Sequence, residues 1–171
     1  MRYPYKKVIY RKEKKMQEKK IAVACDHGGV VLKECLKKYA QEQGFTVVDF
    51  GVGTPDVSVD YPDKAYQLVQ SMQKNETQVG VLVCTSGIGM SIAVNRYPFL
   101  RGALVFNPEM ARLSREHNNA NVLVLGQKFI SPETAKECLE IFLTTEFQGG
   151  RHEKRVEKLT SPLKIKERVE V

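Results

Sequence analysis

Five times between residues 20 and 145 a short apolar run gives way to a stretch with helical spacing. No other feature constrains the fold as tightly. Runs this short and apolar suit strands buried on both faces. Strands alternating with helices build a parallel sheet covered on both sides, a three-layer α/β/α fold with five strands. The strands read as Ile21–Cys25, Phe45–Phe50, Val79–Val83, Gly102–Phe106 and Val122–Leu125. Helices are expected over 29–43, from Pro62 to Lys74, over 89–96, from Pro108 to Glu116, and from the Ser131 N-cap to Thr145. The first presents Val31, Leu32, Cys35, Leu36 and Tyr39 as its apolar face and closes at Gly44. Residues 51–61 form a turn-rich loop. One more helix is expected over 152–159.

Charge separates the ends from the body. The net charge is +7, but residues 1–19 carry +6, residues 151–171 carry +3, and residues 20–150 carry −2. A nucleic-acid-binding domain places its positive charge on the fold itself, so this distribution argues against one. The division expected is a solvated basic arm over 1–19, a folded domain over 20–159 and a loose tail over 160–171. Met16 lies just before the first strand, and natural initiation is expected there, with 1–15 dispensable. No apolar run approaches the ~18 residues of a membrane helix, and no secretory signal is recognisable. The four cysteines include no close pair. They read as neither a disulfide framework nor a zinc site, and the expected compartment is the cytoplasm.

Binding sites in such folds lie at the carboxyl ends of strands, where strand order switches. After the first strand comes Asp26-His27-Gly28-Gly29, after the second a loop ending in Asp60-Tyr61-Pro62, and after the third Cys84-Thr85-Ser86-Gly87-Ile88-Gly89. All three histidines of the chain, His27, His117 and His152, fall at element ends. Asp26 reads equally as a helix cap or as a functional acid. The Thr85–Gly89 segment offers small residues and free backbone amides, which favour an anion. It lacks the lysine of a Walker loop and the spacing of a dinucleotide fingerprint. Cys84 ends its strand beside these amides. Its thiol is expected to fall below the reference pKa of about 8.5 and to serve as a nucleophile or a base. Cys25, Cys35 and Cys138 read as core residues. Arg151 and Arg155, four apart, share a helical face and can grip one phosphate, or simply belong to a solvated tail.

The strings ACDHGG, DYP, CTSGIGMSIAVN, LSREHNNANVLVLG and GGRHEKRVE, in this order across residues 20–159, resemble the type B ribose-5-phosphate isomerase family, which includes galactose- and allose-6-phosphate isomerases. The resemblance implies Rossmann-like subunits paired in a homodimer, or a dimer of dimers, with sites at the interface and neither metal nor cofactor. It implies interconversion of ribose 5-phosphate and ribulose 5-phosphate through an enediolate, in the pentose phosphate pathway. Cys84 matches the family's catalytic base. Some members carry instead a Glu at the position of Met90. Thr85, Ser86, Gly87, Ile88 and Gly89 match the loop that holds the enediolate, with Ser86 able to relay a proton. His117 matches the ring-opening residue, acting with Asp26. His27, Arg151 and Arg155 match substrate- and phosphate-binding positions, and Tyr61 and Asn118 match pocket residues. Lys128 departs from the pattern, since the family has Arg there. The charge is kept but the bidentate fork is lost.

Two other readings remain at this stage. One is the same chemistry on a six-carbon sugar phosphate. The other is a non-catalytic sugar-phosphate sensor, against which the joint presence of Cys84, Ser86 and His117 counts.

Overall fold

The computed structural model describes residues 19–160. The readings of the basic arm, of Met16 as the start and of the tail beyond residue 160 lie outside these residues. Five parallel strands, β1 (Lys20–Cys25), β2 (Thr46–Asp49), β3 (Val79–Cys84), β4 (Gly102–Leu104) and β5 (Val122–Gly126), form one sheet in the order β2-β1-β3-β5-β4. Helices α1 (Val30–Glu42), α2 (Tyr61–Gln73), α3 (Ile88–Val94), α4 (Pro108–Glu116), α5 (Pro132–Thr144) and α6 (Glu153–Thr160) complete the order.

The strand pattern explains the layers. The central strands β3 and β5 are buried along their whole length, so both faces must be apolar, as VGVLVC and VLVLG are. Odd residues of β1 and β3, such as Ile21, Val23 and Val81, pack with Leu32 and Leu36 of α1 and Leu139 and Phe142 of α5. Even residues, such as Ala22, Ala24 and Leu82, face Leu68 and Met72 of α2 and Met90 and Val94 of α3. The alternation of side chains along a strand thus builds two cores, one per face. The chain is the three-layer α/β/α fold its sequence implied.

Two expectations need correction. The buried stripe of α1 is Leu32, Lys33, Leu36 and Ala40, whereas Val31 is 66% exposed and Cys35 only half-buried. A lysine takes a core-facing position there because Asp49, on β2, neutralises it. The Lys33 Nζ lies 2.9 Å from Asp49 Oδ2, and Lys37 reaches the same oxygen at 2.7 Å. Strand β4 stops at Leu104: Val105 still donates to the Val124 carbonyl at 3.0 Å, but Phe106 turns outward. As an edge strand it has a neighbour on one side only, so little holds its last residues in line.

Strand order sets where side chains can meet. From β1 the chain goes to β2 on one side and to β3 on the other, opening a crevice between the carboxyl ends of β1 and β3. Helix α4 runs the other way. It leaves the carboxyl end of β4 and must return to the start of β5, so its last residues lie at the opposite, amino end of the sheet. Asn121 confirms the level: its amide donates to the Arg101 carbonyl at 3.1 Å, and its side chain receives the Arg101 amide at 2.8 Å, just before β4 begins.

Candidate active site

The crevice gathers most of the residues singled out from the sequence. Asp26 follows β1 and caps a 3-10 turn over His27–Gly29, its Oδ1 accepting the Gly28 amide at 2.9 Å. The cap and the functional acid are therefore compatible readings of one side chain. Burial pushes the Asp26 carboxyl above its ordinary value, opposed by the Gly28 amide and by His27. Gly28 is required by close approach, because a Cβ there would fall 2.0 Å from Thr85 Oγ1. Lacking a Cβ, Gly28 lets the two loops approach closely. The Val59 amide donates to His27 Nδ1 at 3.4 Å and ties the 51–60 loop to the same place.

Cys84 is the last residue of β3 and is 5% exposed. Gly87 donates its amide to Cys84 Sγ at 3.0 Å, a contact that stabilises negative charge on sulfur. Gly87 can do so because its φ is +78°, which turns the chain back over the thiol. Ser86 is half-buried, and its Oγ accepts the Ile88 amide at 3.3 Å. Thr85 is exposed at the mouth. Tyr61, at the start of α2, lays its ring 2.7 Å from where a Cβ on Gly89 would stand. Just past β5 the Gln127 and Lys128 amides donate to the Cys84 and Thr85 carbonyls at 2.9 and 3.1 Å. Met90 is fully buried beneath the loop, in the α2–α3 core.

His117, Asn118, Arg151 and Arg155 are not in this crevice. His117 caps α4, at the amino end of the sheet, and Cys84 is at the carboxyl end. The strand residues from Gly80 to Cys84 alone separate these levels by ~13 Å at the usual rise. The C-terminal segment, poor in aliphatic residues, docks on the end of α4. The Gln148 amide donates to the Glu116 carbonyl at 3.1 Å. His152 is buried and stacks on His117, with ring centroids 4.4 Å apart and planes 10° from parallel. Val156 is buried on the next turn. Two side chains with carbon–nitrogen rings supply the anchoring that counting aliphatic residues overlooked. One subunit therefore carries two half-sets at opposite ends of the sheet. A thiol, its amides and Asp26 form one. His117, Asn118 and the two arginines form the other.

Sequence reasoning also missed residues that hold these half-sets. Gln127 Oε1 receives the Leu32 amide at 2.8 Å, fastening the start of α1 to the loop after β5. Asp49 Oδ1 accepts the Gly51 amide at 2.8 Å, which sets the start of the 51–60 loop. Arg115 is buried, donates to the Ala120 and Thr145 carbonyls, and lies 5.4 Å over the Phe142 ring. A run such as LKE at Leu32–Glu34 or REH at Arg115–His117 gives no hint that its cation is internal, because Asp49 and the Thr145 carbonyl are distant in sequence. Among the described residues no group of three or more His, Cys, Asp or Glu side chains is placed to hold a metal ion. No helix among them is long and apolar enough to cross a membrane.

Comparison with known proteins matches this architecture and these motifs together. The profile of the Ribose/Galactose Isomerase family matches residues 21–159. Ribose-5-phosphate isomerase B of Escherichia coli is 38% identical over 143 residues, covering 84% of this chain and 95% of its own. A ribose 5-phosphate isomerase of Thermotoga maritima superposes with a TM-score of 0.80 at 50% identity, covering 82% of this chain and 97% of its own. Ribose-5-phosphate isomerase B of Mycoplasma genitalium, whose structure holds ribulose 5-phosphate, gives 0.79 at 35% identity over 82% of this chain and 93% of its own. The match spans both half-sets, from the first strand through α6, so the chain belongs to the ribose/galactose isomerase family and is a sugar-phosphate isomerase.

Proposed function

We propose that this enzyme interconverts ribose 5-phosphate and ribulose 5-phosphate through an enediolate, at sites each completed by two subunits of a homodimer. The observation that carries the reading is the Cys84 thiol, buried at a strand end with the Gly87 amide 3.0 Å from its sulfur. An aldose–ketose isomerase needs a base for the C2 proton, donors for the charge on oxygen, and a grip on the phosphate. Cys84 as thiolate takes the proton from C2, and the electron pair moves onto the carbonyl oxygen at C1. The amides of the Thr85–Gly89 loop hold that oxygen's charge. Ser86 passes the hydroxyl proton from O2 to O1, and Cys84 returns its proton to C1, which leaves the ketone at C2. Asp26 and His117 open the furanose ring first, by moving a proton from the anomeric hydroxyl and one to the ring oxygen. His27, Tyr61 and Asn118 line the sugar, Lys128 supplies charge at the mouth, and Arg151 and Arg155 hold the phosphate.

The same geometry supports the pairing of subunits. The second half-set lies at the far end of its own sheet, so His117, Asn118, Arg151 and Arg155 of the partner subunit complete the Cys84 crevice. Ile88 and Ile92, 55% and 61% exposed one helical turn apart on α3, give the crevice an apolar rim for a second subunit to cover. The names and the bound ribulose 5-phosphate of the relatives support the five-carbon substrate. All four cysteines are free, which fits work in the cytoplasm, and the proposed substrate pair would place the enzyme in the pentose phosphate pathway. An isomerase assay with ribose 5-phosphate and allose 6-phosphate side by side tests the reading. Preference for the pentose is expected. Preference for the hexose moves the substrate class, and turnover of neither overturns the proposal.

A further inference from the structure

We propose that His152 is a positioning residue for His117, its imidazole serving as the flat platform that sets the plane in which His117 meets the sugar ring. The inference rests on the ring-opening role given to His117 above. Three observations converge on His152. It is 6% exposed although it sits in the charged stretch Arg151–Arg155, where the neighbouring side chains are all exposed. Its ring lies face to face with that of His117, 4.4 Å between centroids and 10° from parallel. Its Nε2 accepts the Arg151 Nε–H at 3.4 Å, so the lone pair is engaged and the ring proton belongs on Nδ1.

The contact constrains His117 more than ordinary burial does. His117 ends α4, with φ of −100°, and beyond it the chain turns through Asn119 at a positive φ of 48°. A side chain at such a terminus has few neighbours to fix its rotation about Cβ–Cγ, and that rotation decides where its ring nitrogens point. A parallel ring removes the freedom. The platform is also neutral. Burial holds the His152 imidazole below its ordinary pKa, and His117, Arg151 and Arg155 add to the effect. A neutral face accepts an adjacent imidazole in either protonation state, as an acid–base residue requires, whereas a charged one would repel the imidazolium. The same ring touches Arg151, so phosphate grip and acid–base residue are braced on one side chain.

The test compares His152→Ala, which removes the platform, with His152→Phe, which keeps a flat ring but no nitrogen. Two reactions are followed. Conversion of ribose 5-phosphate starts from a closed ring and needs His117. Exchange of the C1 hydrogen of ribulose 5-phosphate with deuterated water, read at saturating substrate, starts from an open chain and so needs the Cys84 half and the phosphate grip but no ring opening by His117. His152→Ala should lower kcat for ribose 5-phosphate about tenfold or more while C1 exchange stays near wild type, and His152→Phe should recover most of the loss. In the same proteins the ring protons of His117, followed by NMR, should move downfield in His152→Ala and return toward wild type in His152→Phe. Equal loss in both reactions, equal activity of the two variants, or unmoved His117 resonances overturns the proposal. If wild type neither converts nor exchanges the pentose, the substrate reading fails, and the NMR comparison still decides whether His152 orients His117.

Discussion

A thiol can take a proton from carbon only if negative charge is tolerated on sulfur beforehand and on oxygen afterwards. In the reaction proposed for Cys84 both conditions fall on one turn of backbone, where the Gly87 amide meets the sulfur and the Thr85–Gly89 loop lines the crevice. Cys84→Ala is therefore expected to reduce kcat by about 10²–10⁴-fold and to move KM little, since a general base acts in the transition state far more than in the ground state. Steady-state kinetics with wild-type kcat would remove Cys84 from its role. Arg155 is the opposite case. A phosphate contact remote from C1 and C2 stabilises ground and transition states alike, so Arg155→Ala should raise KM about tenfold or more with kcat largely kept. A selective loss of kcat would contradict that assignment.

At the scale of elements, the tie between β2 and α1 shows how a charged cluster serves the site. Burial works against the Asp49 carboxylate, but hydrogen bonds from Lys37, Lys33 and the Gly51 amide outweigh it and hold the group below the usual carboxylate range. A group held lower in the folded state contributes stability above its unfolded pKa of 3.8 and loses it as pH falls through the folded value. Asp49→Asn should thus be clearly less stable than wild type at pH 7, and the two should converge as pH falls below about 4. Urea midpoints that keep their separation at acid pH would show the carboxylate's charge to be irrelevant. This cluster also marks a boundary of what the sequence revealed. Strand and helix order, the two faces and the crevice residues were legible because period and turn chemistry are local: KIAVAC alternates small and larger apolar residues, and Ser131-Pro132 opens α5 as an N-cap. The inward turn of Lys33 in place of Val31, the burial of Arg115 and the His117–His152 stack were not. Each depends on a partner 16 or more residues away, or on a carbonyl that no side-chain pattern encodes.

On the scale of the whole molecule, a parallel sheet has two ends, and this chain places candidate site residues at both. The crevice at the carboxyl ends of β1 and β3 holds Cys84 and the Thr85–Gly89 amides, whereas His117 at the end of α4 lies with the C-terminal segment that carries Arg151 and Arg155. Within one subunit these sets lie at opposite ends of the sheet, and the His152–His117 stack and the Gln148–Glu116 hydrogen bond fix the second set in place. A twofold pairing that lays one set on the other repeats the contact, so both sites form or neither does. The most direct measurement mixes two inactive variants, Cys84→Ala and His117→Ala, under conditions that exchange subunits. Half of the dimers are then mixed, and each mixed dimer has one site with both residues intact and one with neither. Recovery of up to about one quarter of wild-type activity is predicted. Proven exchange with no recovered activity would mean that each subunit carries its own complete site, contradicting the shared arrangement.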